Sequence, residues 1–216
     1  MAAVGLHATF YPTLRSNLLD EPDAWRALAV AGHELGNHTI FHPCRIKPGC
    51  TWLAEEYNLA GYTARRWEDE VAVANRVLRL FDGGDERSFG NTCHEIWAGP
   101  DDARIDLRPL MARHFLAARG QSTERPVDHA TANLFDLGTC NGGGLDAAMI
   151  ITRIEAAMAV GAWSIWCFHD VGDQGGGYFL ARREFDQLVA WLAAQREHVW
   201  CAPLIEVASR LRTRQP

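Results

Sequence analysis

The chain alternates short apolar runs with amphipathic stretches, and this alternation limits its fold more than any other feature. Residues 67–81 place apolar side chains on one face at helical spacing and are followed by Gly83 and Gly84, which predicts a helix. Residues 163–168 are almost entirely apolar and aromatic, which predicts a strand buried on both faces. About seven strand–helix units of roughly 30 residues follow one another, and this succession favours an α/β fold with a parallel sheet.

The remaining elements follow the same pattern. The other predicted strands are residues 6–11, 33–37, 87–90, 115–118, 133–137 and 199–201, and the other predicted helices are residues 22–31, 107–113, 145–160, 182–196 and 203–211. Residues 43–66 form a long irregular segment, and loops of that length are usually functional or disordered. Because no repeat or linker divides the chain, we expect one domain over residues 1–216.

Composition narrows the classes of function. The 216 residues include 21 Lys and Arg against 27 Asp and Glu, which gives a formal charge of −6. This acidic balance argues against nucleic acid as a partner and gives no reason to expect attraction to a membrane. No stretch approaches the roughly 18 apolar residues that a membrane span needs, and the N-terminus does not read as a signal peptide. We therefore expect a cytoplasmic location for the chain as given.

The six cysteines are too sparse for a disulfide scaffold, and they form no CxxC pair that would indicate a zinc ribbon or finger. Cys44 and Cys50 are close enough in sequence to bridge, but free thiols in a reducing compartment are the favoured expectation. Cys167 lies inside an apolar predicted strand, so we expect it in the core rather than as a nucleophile.

Candidate catalytic side chains follow predicted strands, and parallel α/β folds assemble their sites at the C-terminal ends of strands. His38 and His42 are four residues apart, so a helical turn or a tight loop would present both imidazoles to one side, as a metal pair requires. The alternative is two histidines that cap a turn before Pro43. His169 directly follows residues 163–168. It could act there as a general acid or base, or it could simply form a hydrogen bond with the backbone at the end of the strand. Asn91 is a further candidate side chain for a site at the same C-terminal ends of the strands.

Four segments together resemble a known family, in an order and spacing that hold from about residue 3 to the C-terminus. They are similar to the polysaccharide deacetylases, the NodB-homology carbohydrate esterases, and comprise GLHATFYPT at residues 5–13, AGHELGNHTIFHPC at residues 31–44, WSIWCFHDVGDQGGGYF at residues 163–179 and EFDQLVAWLAAQREHVWCAPLIEV at residues 184–207. The most specific of these motifs is GNHTxxHP. The resemblance implies a distorted (β/α)7 barrel, a divalent metal that is usually zinc, and hydrolysis of an acetyl group from an acetylated sugar.

The resemblance also implies roles for individual residues. His38 and His42 match the family's two metal-binding histidines, and Thr39 matches the hydroxyl residue that orients their loop. His169 matches the general acid that protonates the leaving group. By the same likeness, an acetylated carbohydrate would be the partner. Because sugar rings stack on aromatic side chains, we expect a groove lined in part by aromatic residues of the irregular segment and its end. These are Trp52, Tyr57, Tyr62 and Trp67, with a core position favoured for Trp67.

The chain departs from the family at two motifs. The family's Asp-Asp pair, which supplies a metal ligand and a general base, has no counterpart, and the sequence starts after the place where that strand should end. We therefore expect the barrel without its first strand. The family's Arg-x-Pro-aromatic segment is not reproduced, since Gly90-Asn91-Thr92-Cys93 occupies its place. A catalytic zinc ion is usually bound by three protein ligands and a water, so two histidines alone should bind it more weakly.

Three functions follow from these observations. The first is a metal-dependent hydrolase that removes N- or O-linked acetyl groups from a carbohydrate. The second is a carbohydrate-binding pseudoenzyme without turnover. The third is a hydrolase of the same fold that acts on a small non-sugar amide or ester, because a fold does not fix a substrate. An open barrel would also expose strand edges at residues 6–11 and 199–201, so we expect a homodimer that covers this edge.

Overall fold

The computed structural model of the protein describes residues 1–15, 18–48, 50–173 and 178–213. The strands within these ranges are β1 (Thr9–Phe10), β2 (Glu34–Leu35), β3 (Ser88–Gly90), β4 (Trp97–Ala98), β5 (Ile105–Asp106), β6 (Ala117–Ser122), β7 (Leu137–Asn141), β8 (Trp166–Cys167), β9 (Asp170–Gly172) and β10 (Phe179–Ala181). The helices are α1 (Pro22–Val30), α2 (Ala64–Asp82), α3 (Arg108–His114), α4 (Ala147–Ala159), α5 (Arg182–Ala194) and α6 (Leu204–Arg212). The described helices include none that is both long and apolar enough to cross a bilayer.

Six strands form a curved parallel succession in the order β1, β2, β3, β6, β7, β8. Asn37 connects β2 to β3, because its N–H donates to the Ser88 carbonyl and its carbonyl accepts from Gly90 N–H, both at 2.9 Å. Strands β9 and β10 form a separate parallel pair, and β4 and β5 an antiparallel one. The α/β class is therefore confirmed, as a mixed α/β fold whose curved parallel sheet is consistent with a partial (β/α) barrel, and a (β/α)7 barrel stays a prediction.

The longest helix, α2, shows how the sequence pattern produces this architecture. Thr63 caps its N-terminus by accepting from Arg66 N–H at 3.1 Å, and Gly83 ends it in the left-handed region at φ 70°. Its buried side chains include Trp67, Val71, Ala74 and Leu78, which share one face at helical spacing. Trp67 packs edge-on against Phe89 of β3, so the helix supports the strand that leads into the candidate site.

Several predicted strands differ from the structure in extent, and two of them show the reason. Residues 133–136 form a turn in which the Asn133 side chain accepts from Phe135 N–H at 2.9 Å, and β7 begins only at Leu137. The predicted strand at residues 163–168 shortens to β8, and its residues are only partly buried. Trp163 instead pairs with Val127 in an antiparallel bridge, so it does not continue β8.

The predicted strand at residues 199–201 is wrong, because that segment forms no strand. The chain continues directly into α6, whose first N–H groups donate to side chains of β1 and β2. Leu204 N–H donates to the Thr9 hydroxyl at 2.7 Å, and Ile205 N–H donates to the Glu34 carboxylate at 3.1 Å. These bonds satisfy amides that would otherwise be free at the helix N-terminus. The homodimer expected at the open edge stays a prediction.

Candidate functional site

The loop after β2 brings His38 and His42 side by side. Their ring centroids lie 4.8 Å apart with an interplanar angle of 78°. The chain between them forms a tight loop rather than a helical turn, because Thr39 and His42 adopt positive φ angles of 67° and 56°. Such backbone is unfavourable for residues other than glycine and persists only where the surroundings hold it in place.

Side chains from outside the loop hold this backbone. The buried carboxylate of Glu70, on α2, accepts from Ile40 N–H at 3.1 Å and from Phe41 N–H at 3.0 Å. Its other oxygen accepts from the Tyr62 hydroxyl at 3.0 Å. Within the loop, the Thr39 hydroxyl accepts from His42 N–H at 3.0 Å. The position of the histidine pair is therefore fixed from α2 as well as from the sheet.

Hydrogen bonding sets the tautomer of His38. Its Nδ1 lies 2.6 Å from the Gly90 carbonyl oxygen, and because a carbonyl only accepts, Nδ1 carries the proton. The lone pair is then on Nε2. Burial lowers the pKa of His38 well below its usual range, with a smaller contribution from Arg119, so the ring is neutral at pH 7. Burial also lowers the pKa of His42. Two neutral imidazoles, one with Nε2 free, fit a divalent metal as two of its ligands.

Arg119, at the centre of the site, was missed by the sequence reasoning. It extends from β6, is only 8% exposed, and its guanidinium carbon lies 4.9 Å from the centroid of the Tyr11 ring. No carboxylate in the described ranges pairs with it, and its Nε has no hydrogen-bond partner there. A Cβ at Gly90 would lie 3.0 Å from atoms of Tyr11, His38 and Arg119, so a glycine is what allows these groups to converge. The available signal was an arginine directly after the predicted apolar strand at residues 115–118.

His169 follows β8 and is exposed. Its ring lies 4.9 Å from that of Tyr178, and its charge is a minor contribution to the lowered pKa values of His38 and His42. The pKa of His169 itself is lowered by partial burial, then by Arg119 and His94. His169 is therefore within electrostatic range of the histidine pair. The neighbouring Asp170 is also exposed.

The two residues predicted to bind substrate have contrasting surroundings. Asn91 directly follows β3 and is 1% exposed, and neither atom of its amide group has a hydrogen-bond partner in the described part of the chain. Trp52 is 63% exposed, and its ring lies edge-on to His42 at 5.8 Å. Asn91 therefore offers an unused donor and acceptor, and Trp52 offers an open aromatic face beside the histidines.

The other predicted groove residues do not line a groove. The core position favoured for Trp67 is confirmed, and Tyr62 is also buried in the core, where its hydroxyl donates to Glu70. Tyr57 stacks on Phe41 at 4.7 Å and so pins the irregular segment to the histidine loop. Of the four aromatic residues, only Trp52 presents a large open face next to the histidine pair.

A disulfide between Cys44 and Cys93 joins the loop after β2 to the loop after β3. This overturns the expected free thiol at Cys44 and the alternative Cys44–Cys50 bridge, whereas Cys50 is a free thiol as expected. The partners are 49 residues apart in sequence and 5.7 Å apart at their Cα atoms, and the register of β2 and β3 brings them together. The Thr92 hydroxyl also donates to the Pro43 carbonyl, so the two loops have a second connection.

No carboxylate completes the histidine pair within the described ranges. The one group of three potential metal-ligating side chains found there consists of His42, Cys44 and Cys93. The chain does contain two consecutive aspartates, Asp101 and Asp102, but they are not near the histidine pair in sequence. Asp101 lies exposed in a loop, where it forms ion pairs with Arg45 and Arg104. The geometry thus brings together two imidazoles, a buried guanidinium and an exposed histidine.

Comparison with known proteins supports the resemblance. Residues 1–90 match the polysaccharide deacetylase family, which confirms the resemblance over that part of the chain. The matched residues include His38 and His42, whereas Asn91, Arg119 and His169 lie beyond them. No curated protein matches the chain.

Proposed function

We propose that the protein is a metal-dependent hydrolase that removes acetyl groups from a carbohydrate. The observation that carries this proposal is the pair of neutral imidazoles, His38 and His42, with ring centroids 4.8 Å apart in a segment that matches the polysaccharide deacetylases. In this proposal His38 and His42 hold a divalent metal, Zn²⁺ in the first instance, and His169 is the general acid.

The surroundings of His38 support its role as a ligand. Metal-binding histidines usually donate their second ring N–H to a carbonyl or carboxylate, which orients the ring and fixes its tautomer. The Gly90 carbonyl does this for His38 at 2.6 Å. When bound, the metal would polarise the acyl oxygen and lower the pKa of a bound water.

Arg119 supports acyl transfer through its charge. Negative charge develops on the acyl oxygen in the transition state, and preorganised donors in a water-poor site stabilise it most strongly. The Arg119 guanidinium is buried, lies next to the histidine pair and has no paired carboxylate in the described ranges. We therefore assign it to the acyl oxygen.

His169 lies on the exposed side of the site, where a leaving group can depart. As a general acid it must be protonated when it donates. Asn91 and Trp52 would contact the sugar, Asn91 through its unpaired amide and Trp52 by stacking its exposed ring against an apolar sugar face.

One observation favours a second candidate, a carbohydrate-binding protein without turnover. Within the described ranges no carboxylate accompanies His38 and His42, so neither a third metal ligand nor a general base of that type is present. Such a protein would keep the aromatic and amide contacts of Trp52 and Asn91 but would lack hydrolysis.

Acetate release separates the two candidates. The full chain, supplied with Zn²⁺, is incubated with an acetylated oligosaccharide and with an acetylated chromogenic ester. We expect acetate release that disappears in His38→Ala and in His42→Ala and persists in His198→Ala, which removes an exposed histidine elsewhere. Sugar binding without any acetate release would instead support the non-catalytic candidate.

A further inference from the structure

The disulfide next to the histidine pair conceals a second set of metal-ligating atoms. We propose that reduction of the Cys44–Cys93 disulfide creates a zinc site formed by His42 Nδ1, Cys44 Sγ and Cys93 Sγ. This site shares His42 with the pair of the proposed function, but it does not use His38 and does not depend on that function.

The distances suit zinc. His42 Nδ1 lies 3.5 Å from Cys44 Sγ, and the three donor atoms lie within 4.8 Å of one another. Tetrahedral zinc with bonds of about 2.3 Å to sulfur and about 2.1 Å to nitrogen places a sulfur and a nitrogen about 3.5 Å apart, and two sulfurs about 3.8 Å apart. The distance between His42 Nδ1 and Cys44 Sγ therefore already suits zinc, whereas the two sulfurs must separate and Cys93 Sγ must adjust its distance to the imidazole.

The two loops have connections that remain after the disulfide is reduced. The Thr92 hydroxyl donates to the Pro43 carbonyl, and the Cys44 carbonyl accepts from Leu59 N–H at 2.9 Å. Thr39 holds the backbone of His42. The three ligating residues therefore stay close together in the reduced protein, which lowers the ordering cost of metal binding.

The chemistry balances with a dithiol as the reductant. The dithiol gives two electrons and two protons, its own sulfurs join in a disulfide, the Cys44–Cys93 bond breaks, and both cysteines become thiols. Cys93 is only partly buried, so a reductant can reach it. Zinc then displaces the two thiol protons and binds two thiolates and the neutral His42 ring.

Charge also favours zinc in this set over the histidine pair. Two thiolates neutralise the dication in a region where Arg119 contributes positive charge, whereas His38 and His42 bring no negative charge. Two cysteines and one histidine also leave one coordination position open, as catalytic zinc sites do.

Cobalt titration tests the proposal with the full chain. The protein is reduced with an immobilised dithiol, separated from it under anaerobic conditions and titrated with Co²⁺, in parallel with the oxidised protein. We expect sulfur-to-cobalt charge-transfer absorption in the reduced protein only. The affinity for Zn²⁺ is measured by competition with a chromogenic chelator. Reduction should raise this affinity by about 100-fold or more, because two thiolate ligands are gained.

Single variants locate the site. Cys44→Ser and Cys93→Ser should each lose the absorption and the gain in affinity, and Cys50→Ser, the matched control, should keep both. His38→Ala should also keep both, so failure of the proposed function and failure of this site are distinguishable. A reduced protein without the absorption overturns the proposal, as does absorption that persists in both Cys44→Ser and Cys93→Ser. If a serine variant does not fold, the wild-type comparison between redox states still decides.

Discussion

The two walls of the candidate site are built differently. The wall that carries His38 and His42 is held by the Glu70 carboxylate, by the Gly90 carbonyl and by a disulfide. The other wall carries His169, which is exposed and contacts the ring of Tyr178. The difference teaches that one wall is preorganised and the other is open, which suits the proposed metal ligation on the first and the proposed passage of substrate and leaving group on the second.

Histidine variants on the two walls should give the largest effects and test this division directly. His38→Ala should abolish acetate release, since it removes a proposed metal ligand. His169→Ala should lower kcat by about 10²- to 10⁴-fold and leave metal content unchanged, because it removes a general acid only. Steady-state kinetics and metal analysis measure the two effects. If His169→Ala releases acetate at the wild-type rate while His38→Ala releases none, His169 is not the general acid.

The brace behind the preorganised wall should matter for stability. Glu70→Ala leaves Ile40 N–H, Phe41 N–H and the Tyr62 hydroxyl without their acceptor, and should lower the free energy of unfolding by about 3 kcal/mol. Urea denaturation measures this loss. Glu155→Ala, on an exposed face of α4, is the matched control and should change stability little. Equal stability of the two variants would mean that Glu70 does not brace the loop.

The lowered pKa of His38 predicts a pH dependence of stability. Because the folded pKa lies well below 6.5, the unfolded chain binds more protons between these two values, and stability falls as the pH drops below about 6.5. The slope is at most about 1.4 kcal/mol per pH unit for each such histidine. Unfolding of the metal-free chain at a series of pH values measures it. His38→Gln should reduce the slope, and an unchanged slope would contradict the buried neutral ring.

The pH dependence of activity tests the role of His169 on the open wall. Activity that needs protonated His169 should fall as the pH rises through a value below 6.5. Arg119→Met removes one cause of that low pKa, so the descending limb should move to higher pH. The pH profile of kcat/KM measures the shift. If Arg119→Met folds and its descending limb stays at the pH of the wild type, Arg119 does not lower the pKa of His169.

The smallest expected effect concerns the exposed aromatic ring at the rim. Trp52→Ala should weaken sugar binding by about 1 kcal/mol, which raises KM several-fold, and should leave stability nearly unchanged because the ring is exposed. Trp200→Ala removes a similarly exposed ring elsewhere and serves as the control. Tryptophan fluorescence during titration with an acetylated oligosaccharide reports the contact. Equal sugar affinity in the two variants would exclude stacking at Trp52.

The sequence by itself determined the parts of this protein that depend on local pattern. The periodicity of residues 67–81 predicted α2, and its ends follow from Thr63 and Gly83. The motif GNHTxxHP indicated His38 and His42, and the spacing was enough to expect adjacent rings. Short strands were less predictable, because residues 133–137 and 199–201 carry apolar side chains that a turn or a helix entrance also accommodates.

Tertiary structure alone decided the rest of the site, because its contacts join residues far apart in the chain. Glu70 holds a loop about 30 residues away, and Cys44 meets Cys93 across two adjacent parallel strands. Arg119 converges with Tyr11 and His38 only because β6 pairs with β3, which pairs through Asn37 with the end of β2. Local patterns fix which residues follow each strand, whereas the register between strands fixes which of those residues meet.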